Sequence, residues 1–503
     1  MGLSIRKIKN SAGNTSVQVV SRPKRKTKIE KHIGTGKTEE EINTLYESAR
    51  EYINEQQGSQ QPLQFKSPNK YNNLKIKKVV HHYAYEFLEK CYEKLRFNEI
   101  DTDLIKNLAI IRIIEPSSKI RATELLSKHF RINYTSNHLY RHFKEAVNFK
   151  DQFEALAIDY AKKNLDFDFN LIFYDVTTLY FEAFQEDALR KCGFSKDNKF
   201  NQPQILVALM VDKNGYPVGY DVFEGNKFEG HTILPVMLRF KKKYNVENFT
   251  VVADAAMLSK NNIKELKENK LKYLVGARLG NMPMPIIEEI SRNISKDEKN
   301  IINMSVDEER LVCDYSIKRA SKDKSEREKQ IQRALKLINS PGKIAKKSRF
   351  LRAKDNAKGN DQYELNEDLI KKSKLLDGIK GYVTNIADLS DDLLIARYKD
   401  LWKIEKAFRI AKNDLKIRPT FLWKQEAIKA HLVIVFASLC IAKYLEHNSI
   451  YSIKIIVDML LDVYDVELRD QNTKESFTKR SEIPQKLIDL ERKLDLEVSV
   501  SLE

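Results

Sequence analysis

The sequence has few of the features that mark secreted, zinc-binding or membrane-spanning proteins. Its four cysteines, Cys91, Cys192, Cys313 and Cys440, are scattered along 503 residues and form no C-x-x-C pair. This distribution argues against a zinc site and for a reducing compartment. The longest apolar run, HLVIVFASLCIA from His431, is shorter than the roughly 18 residues that a membrane-spanning helix needs. The initial MGLSIRKIKNS lacks the apolar core of a signal peptide. We therefore expect a cytoplasmic protein with no membrane span.

Positive charge is what the sequence has in excess. Lys and Arg number 88 against 71 Asp and Glu, which gives a formal net charge of +17 at pH 7. Hydrophobic residues make up 42% of the chain, so most of it should be globular, and its length allows about two to four domains. Such a charge favours a polyanionic partner, most simply nucleic acid, with an anionic membrane surface as the weaker alternative.

The first part of the chain divides by composition. Residues 1–54 combine an alternating strand, SVQVVS, with an acidic helical stretch, TEEEINTLYESAREYI. Residues 55–73 are polar and contain two prolines, as is typical of a linker. From about residue 79 to 165 the hydrophobic pattern is helical.

Within this helical region, two short amphipathic helices are predicted in SKIRATELLSKHF and TSNHLYRHFKEAV, joined at RINY. Ser117 or Ser118 and Thr135 or Ser136 are the N-cap candidates. The arrangement resembles a helix-turn-helix, and an ordinary helical hairpin with a polar face fits it equally well. In a helix-turn-helix, the residues that the second helix presents to DNA would be His138, Arg141, His142 and Lys144.

Two apolar strands each lead to a lone carboxylate. NLIFYDVTTLYFE predicts Asp175 at the end of a buried strand, and FTVVADAAML predicts Asp254 in the same position. Between them a hairpin is predicted, followed by alternating helices and strands, which favours a mixed α/β layer. Two carboxylates that meet at one sheet edge repel each other unless a divalent cation neutralises them. Hard oxygen ligands suit Mg²⁺ or Mn²⁺.

A third acid is expected from a helix packed beside the sheet. DDLLIARYKDLWKIEKAFRIAKNDL predicts one long helix, in which Tyr398, Glu405 and Lys412 are spaced by seven and lie along one stripe, with Arg409 close by. Any amphipathic helix has this spacing, so the spacing alone is weak evidence for Glu405. Its assignment as a third acid depends on the presence of the two aspartates. For the two tryptophans of the chain, Trp402 and Trp423, buried packing is favoured over stacking on a base.

Residues 281–380 interrupt the alternation of helices and strands. Between residues 318 and 354 there are 14 Lys or Arg and 3 Asp or Glu. A charge run of this kind is typical of a solvated helix face or a mobile arm, and it also suits a phosphate backbone. The basic residues singled out for DNA contact are Lys343, Lys346, Lys347 and Arg349.

Four segments together resemble the DDE class of bacterial insertion-sequence transposases: YDVTTLYFE, GFSKDNKFNQPQILVALMVDKNGYPVGYDVFEGN, VVADAAMLSKNNI and YKDLWKIEKAFRIAKNDLKIRPTFLW. The resemblance is to the branch with a long insertion between the second Asp and the Glu, and it covers roughly residues 170–440. It matches Asp175, Asp254 and Glu405 with the three family acids in that order.

The family also has a helical signature of Tyr, Arg, Glu and Lys. Tyr398, Glu405 and Lys412 match it, but Leu401 stands where the arginine is expected. The residues that could replace the phosphate contact of this arginine are Lys399, Lys403 and Arg409.

The resemblance implies an α/β fold with an RNase H-like mixed sheet flanked by helices. Residues 170–280 and 381–440 would form this catalytic core, and residues 281–380 the inserted basic subdomain. Outside the resemblance, the helical patterns predict a region at 79–165 that would bind DNA if it is a helix-turn-helix, and a helical region at 441–503.

The implied activity is metal-dependent DNA cleavage at insertion-sequence ends and strand transfer into target DNA. Two Mg²⁺ or Mn²⁺ ions would be held by the three acids, while Tyr398, Arg409 and Lys412 would position phosphate. The expected partners are the terminal inverted repeats, the target duplex and a second copy of the chain, in the bacterial cytoplasm at the nucleoid. A catalytically inactive or recruited DNA-binding protein and a nuclease of the same fold are the alternatives.

Overall fold

The structure is a computed structural model of the chain. It describes residues 3–11, 13–22, 26–56, 73–182, 184–194, 201–246, 250–255, 259–297, 300–338, 348–353, 363–417 and 422–498. Most of the expected linker at 55–73 lies outside these residues. The chain divides into two compact units, Met1–Lys75 with Arg469–Ser476, and Ile76–Leu468 with Phe477–Glu503.

The first unit is built on a small antiparallel sheet with a helix against it. Its strands are β1 (Ser4–Lys9), β2 (Thr15–Ser21) and β3 (Lys28–Gly36), in the order β1-β2-β3, and its helix is α1 (Glu39–Gln56). Val17 and Val19 of β2 are fully buried together with Ala49 of α1. The alternation of SVQVVS thus predicts the central strand correctly.

The next elements are a strand that begins in the first unit and a set of helices in the second unit. They are β4 (Leu74–Val80), α2 (His82–Lys94), α3 (Asp103–Ile114), α4 (Lys119–Phe130), α5 (Ser136–His142) and α6 (Lys150–Asn164). The hydroxyl of Ser118 accepts a hydrogen bond from Arg121 N at the start of α4, and that of Thr135 accepts one from His138 N at the start of α5. Both are predicted caps. The second helix of the predicted pair is only seven residues long and continues as a 3₁₀ helix, Phe143–Phe149.

An eight-stranded sheet forms the centre of the second unit, in the order β10-β11-β14-β9-β8-β5-β6-β7. Its five core strands are β5 (Ile172–Tyr180), β6 (Gln204–Val211), β7 (Pro217–Glu224), β8 (Thr250–Ala253) and β9 (Lys272–Gly276). β6 pairs antiparallel with β5 and β7, whereas β5, β8 and β9 run parallel. The connections from β7 to β8 and from β8 to β9 contain α7 (Ile233–Tyr244) and α8 (Lys260–Glu268). This order is that of an RNase H-like sheet, as predicted.

The inserted residues extend this same sheet. The elements of the insertion are α9 (Met284–Asn293), β10 (Ile301–Val306), β11 (Glu309–Tyr315), α10 (Ile317–Ile338), β12 (Leu351–Ala353), β13 (Tyr363–Leu365) and α11 (Glu367–Leu375). β11 pairs with β14 (Ile379–Thr384), which in turn pairs antiparallel with β9 of the core. The insertion therefore combines strands with the basic helix α10 that its charge run predicts.

The predicted long helix after the insertion is broken, contrary to expectation. It consists of α12 (Asp391–Lys399), α13 (Trp402–Arg409) and a π-helical segment, Ile410–Asp414. The chain turns at Asp400 and Leu401, and Leu401 is buried there. An apolar residue that packs at the junction allows two short helices to follow the sheet more closely than one straight helix could.

A long apolar helix, α14 (Gln425–His447), belongs to the hydrophobic core of the second unit. By length and composition it could span a membrane, but 94% of its most apolar window is buried within the fold. Such burial is typical of a core helix. The rest of the chain consists of α15 (Ile453–Leu461), β15 (Asp465–Asp470), β16 (Ser476–Arg480) and α16 (Gln485–Leu494). The expectation of a helical C-terminal region was incomplete, because β15 and β16 pair in the order β16-β15-β4.

Candidate active site

The two predicted aspartates follow one another across neighbouring parallel strands. β5 and β8 pair with Tyr174 opposite Ala253, and the residues that directly follow this pair are Asp175 and Asp254. Residues in the same register of parallel strands present their side chains on the same face of a sheet. The fold therefore directs both carboxylates toward one region.

Asp175 does not end its strand, contrary to the sequence prediction. It is the fourth residue of β5, which continues to Tyr180 because β6 pairs with it along that length. The strand that does end here is its neighbour β8, whose last residue is Ala253. Asp175 is half-buried and Asp254 is exposed. The carboxylate of Asp254 accepts a hydrogen bond of 2.6 Å from Ala255 N, which fixes the direction of its side chain.

Glu405 belongs to a helix that packs on the same strands. α13 contacts β5 and β6. Its residues Ile404, Ala407 and Phe408 are buried, whereas Glu405 is exposed. This division follows from helical geometry, because residues three and four apart share a face. The apolar face of α13 thus fixes the helix to the sheet and leaves Glu405 accessible.

Tyr398 interacts with the second and third predicted acids, Asp254 and Glu405. It is buried, and its hydroxyl interacts electrostatically with the carboxylates of both. Burial is the main cause that raises its pKa, and the negative charges of Asp254 and Glu405 raise it further. The hydroxyl is therefore protonated at neutral pH and is able to donate a hydrogen bond.

Close approach of Tyr398 to the sheet depends on a glycine. A Cβ atom placed on Gly276 would lie 2.5 Å from the Tyr398 hydroxyl oxygen and 3.2 Å from the Ala255 Cβ. Gly276 is the last residue of β9 and follows Val275, which pairs with Ala253. Any larger residue here would push the tyrosine hydroxyl away from Asp254.

Lys380 lies in the same site, and the sequence analysis missed it. Its amine is 4.4 Å from the centroid of the Tyr398 ring. Burial and the nearby Arg319 lower its pKa, while Asp314, Asp254 and Glu405 act in the opposite direction. Lys380 therefore stands in the electrostatic field of two predicted acids. The signal in the sequence was a lysine at the start of the strand that returns from the insertion beside β9.

The family model for the transposase DDE domain matches residues 167–441, more than half of the chain. The chain belongs to this transposase family. The predicted fold and enzyme class are thereby confirmed: this is a transposase of the DDE class, whose reaction is metal-dependent DNA cleavage and strand transfer.

Comparison with solved structures gives distant similarities. A piggyBac transposase synaptic complex with hairpin DNA is 11% identical, with a TM-score of 0.36 over 74% of this chain and 79% of that one. A Mos1 transposase paired-end complex with the left transposon end is 12% identical, with a TM-score of 0.16 over 36% and 57% of the two chains. A Mos1 mariner paired-end complex with Mn is 14% identical, with a TM-score of 0.14 over 47% and 78%. No curated protein matches the chain. The family assignment thus rests on the family model.

The donor set of the transposase suits a divalent metal, the cofactor class of its family. Asp175, Asp254 and Glu405 supply only carboxylate oxygens, the ligands that Mg²⁺ and Mn²⁺ prefer. Among the described residues, no group of three or more His, Cys, Asp or Glu side chains is arranged so that it could hold a metal ion. Closure of the three carboxylates into one metal cluster stays a prediction.

Of the three residues that could replace the missing arginine at Leu401, two are engaged elsewhere. Lys399 forms an ion pair of 3.2 Å with Asp314. The amine of Lys403 donates a hydrogen bond of 2.7 Å to the carbonyl oxygen of Lys213. The third candidate, Arg409, is exposed at the end of α13.

The other DNA-binding candidates are dispersed. Lys412 is half-buried in the π-helical segment, Arg141 is exposed at the end of α5, and Lys144 is exposed in the 3₁₀ helix that follows. Arg349 is exposed, with its guanidinium 5.3 Å from the Phe350 ring centroid. The remaining three candidates, Lys343, Lys346 and Lys347, lie outside the described residues.

Proposed function

We propose that Asp175, Asp254 and Glu405 are the metal ligands of this transposase and that Mg²⁺ or Mn²⁺, as two ions, is their cofactor. The common register of Asp175 and Asp254 at the end of β8 carries this proposal. The helix with Glu405 packs on β5, the strand that carries Asp175. When bound, the ions would activate water or a 3′-hydroxyl group and stabilise the leaving 3′-oxygen.

Tyr398 would position the second carboxylate. Its hydroxyl would donate a hydrogen bond to Asp254, in addition to the one that the Ala255 N–H donates to the same side chain. A carboxylate has about four lone-pair sites, so these two bonds leave acceptor capacity for a metal. Gly276 keeps the tyrosine hydroxyl within reach. The role of Tyr398 is therefore the orientation of Asp254.

Lys380 would bind the scissile phosphate in place of the missing arginine at Leu401. The charges of Asp254 and Glu405 act on its amine, whereas Lys399 and Lys403 already have partners. A charge-assisted contact to phosphate fixes DNA in the site without covalent chemistry. Arg409 and Lys412, on the helix that carries Glu405 and the segment after it, would contact neighbouring phosphates.

The DNA partners would be the terminal inverted repeats of the insertion sequence and a target duplex. The net charge of +17 supports a polyanionic partner. We assign residues 79–165 to end binding, residues 170–280 and 381–440 to catalysis, and the inserted residues 281–380 to phosphate contacts. Two ends must be held together for joining, so the active form would be a homodimer, which acts at the nucleoid in the bacterial cytoplasm.

The test is a cleavage and joining assay with the full chain and duplexes from the two ends of the insertion sequence that encodes it. Mg²⁺ should give strand cleavage at the transposon end and a product joined to a target plasmid, while a chelator should abolish both. Binding without cleavage would identify a recruited DNA-binding protein instead. Cleavage without the joined product would identify a nuclease.

A further inference from the structure

A cleft of about 720 Å³ opens in the second unit, between the start of α4 and the start of α14. Its walls include Ile120, Leu422 and Ala427, and its mouth is bordered by Trp423 and Tyr140. It combines apolar walls with several cations. The three predicted metal ligands, Tyr398 and Lys380 do not line it, so it is separate from the candidate active site.

A buried positive charge lies in this cleft. Arg112 donates hydrogen bonds of 2.9 Å to the carbonyl oxygen of Leu415 and 3.2 Å to that of Ser117. It is 9% exposed, and burial lowers its pKa to about 10. Its hydrogen bonds within the described part of the chain all go to backbone carbonyls, so no carboxylate there neutralises it. A buried cation in this state favours an acceptor-rich or anionic ligand.

Three residues that line the cleft each have a buried polar atom without a hydrogen-bond partner among the described residues: Arg112 Nε, Ser117 Oγ and His431 Nε2. Buried polar atoms are nearly always hydrogen-bonded, and an exception requires an explanation. All three lie on one cleft, so one ligand with acceptor atoms on its edge could bond to them together. His431 is 8% exposed, and its pKa lies well below the usual value because burial disfavours the charged ring.

The mouth of the cleft presents an aromatic surface to solvent. Trp423 is 60% exposed, which contradicts the expectation of a buried packing role, and Trp402 is also exposed. The guanidinium of Arg190 lies 5.8 Å from the Trp423 ring centroid and helps to hold that ring in place. An exposed indole held in this way can stack on a planar ligand.

Lysines surround the aromatic mouth. Lys144, Lys416 and Lys424 are exposed and line the cleft, and Lys119 reaches across the Tyr140 ring at 5.4 Å. The described residues that line the cleft include no Asp or Glu. The surface thus favours a ligand that is planar, apolar on its faces and flanked by negative charge.

We propose that the cleft binds an unpaired nucleotide of the DNA on which the transposase acts. Its base would enter between the apolar walls and stack on Trp423, with acceptor atoms of the base edge directed at Arg112 and Ser117. The flanking phosphates would lie on Lys144 and Lys424. A paired duplex cannot offer a base in this way, so the cleft selects DNA that is locally unpaired. The inference rests on DNA as the substrate of the proposed function.

The experiment compares two labelled duplexes that are identical except for one unpaired nucleotide, with the full chain and fluorescence anisotropy as the readout. The wild type should bind the bulged duplex about tenfold more tightly or better, given the usual strength of base–aromatic stacking. Trp423→Ala should reduce this ratio to near one and leave the affinity for the paired duplex unchanged. Trp423→Phe retains a stacking ring and should keep most of the preference.

The cations are tested with a matched pair of variants. Lys424→Gln should weaken binding of the bulged duplex and flatten its salt dependence, since one phosphate is no longer neutralised. Lys429→Gln, five residues further along α14 and not on the cleft, should do neither. Equal bulge preference in the wild type, Trp423→Ala and Trp423→Phe would overturn the proposal. A change in oligomeric state in Trp423→Ala without any change in the bulge preference would also overturn it, in favour of a protein segment as the occupant.

Failure of the cleft proposal can be separated from failure of the catalytic one. Asp254→Asn should keep the bulge preference, because Asp254 does not line the cleft. Loss of cleavage in the wild type with an intact, Trp423-dependent preference would reject the catalytic assignment alone. Metal-dependent joining without any bulge preference would reject the cleft alone.

Discussion

The side-chain amine of Lys380 lies 4.4 Å from the centroid of the Tyr398 ring. The lysine comes from the strand that closes the insertion, and the tyrosine comes from the helix before Glu405. Both lie near Asp254 and Glu405. The insertion therefore contributes more than a separate basic subdomain, because its return strand brings a cation to the predicted metal ligands.

Lys380→Gln is expected to slow cleavage of end DNA. Removal of one charge-assisted phosphate contact corresponds to about 1.5–3 kcal/mol, or roughly a 10- to 100-fold lower rate. The cleavage rate is measured under single-turnover conditions in Mg²⁺. Lys272→Gln, a lysine at the far end of β9 in the same sheet, is the control and should cleave at the wild-type rate. Equal rates for the two variants would remove Lys380 from the site.

Asp254→Asn separates chemistry from binding. Asp254 is a proposed metal ligand, so cleavage should fall below detection in the variant, whereas the affinity for end DNA should stay comparable or rise slightly because one negative charge near phosphate is gone. A cleavage assay and an electrophoretic binding assay on the same preparation measure the two effects. Asp388→Asn, at an exposed acid in the loop after β14, should change neither. Parallel loss of both activities would mean that Asp254 is structural.

Gly276→Ala tests the orientation of Asp254 without touching a charge. The added methyl group would lie 2.5 Å from the Tyr398 hydroxyl oxygen, so the tyrosine must shift away from Asp254. We expect cleavage to fall about tenfold or more, since the proposed hydrogen bond from Tyr398 to the charged Asp254 would be lost, and such a bond contributes about 1.5–3 kcal/mol. Gly280→Ala is the matched control, because a Cβ there meets no atom within 4 Å. Similar cleavage by both alanine variants would exclude a positioning role for Tyr398.

Hydrophobic pattern and turn chemistry were enough to predict most of the core. Fully buried strands such as β6 produce continuous apolar runs, and the predicted hairpin joins β6 to β7 through Asn214 and Gly215, with Gly215 at φ +76°. The two aspartates were found because a lone carboxylate in an apolar run is unusual. Their assignment as metal ligands stays a prediction.

What the sequence could not show depends on long-range pairing. The strand of Lys380, β14, pairs with β9, which lies more than a hundred residues earlier in the sequence. No local pattern encodes the register of this pairing. The break at Leu401 has the same origin, since helical periodicity continues across it while packing on the sheet bends the chain. The exposure of Trp423 also depends on tertiary structure. From the sequence alone, burial is the expected state of a tryptophan.

The basic run of the insertion provides a prediction about salt dependence. Replacement of Lys343, Lys346, Lys347 and Arg349 by glutamine should flatten the slope of log affinity against log salt, by about 0.9 for each phosphate that is no longer neutralised. The preference for end sequence over random DNA should survive, since phosphate contacts carry no sequence information. A charge-matched control replaces four exposed basic residues of the C-terminal region, Lys479, Lys486, Arg492 and Lys493. Identical slopes for the two quadruple variants would show that the basic run is a solvated surface and does not contact phosphates.

His431 should make the fold sensitive to acid. Burial holds its pKa well below 6.5, and the positive charges of Arg112 and Lys119 lower it further, so the ring is neutral in the folded protein. Below pH 6.5 the unfolded chain binds a proton that the folded chain does not. The free energy of unfolding must therefore fall with falling pH, by up to about 1.4 kcal/mol per pH unit, until the pH reaches the folded-state pKa.

His431→Gln removes this titration, so the loss of stability between pH 6.5 and pH 5.5 should be smaller in the variant by about 1 kcal/mol. Urea unfolding at the two pH values measures the difference. His447→Gln, at an exposed histidine at the end of the same helix, should keep the full wild-type loss. The comparison depends on the change with pH within each protein, so any constant destabilisation from the substitution cancels. The same acid sensitivity in His431→Gln and the wild type would show that His431 is charged in the folded state, which its position beside the buried Arg112 guanidinium disfavours.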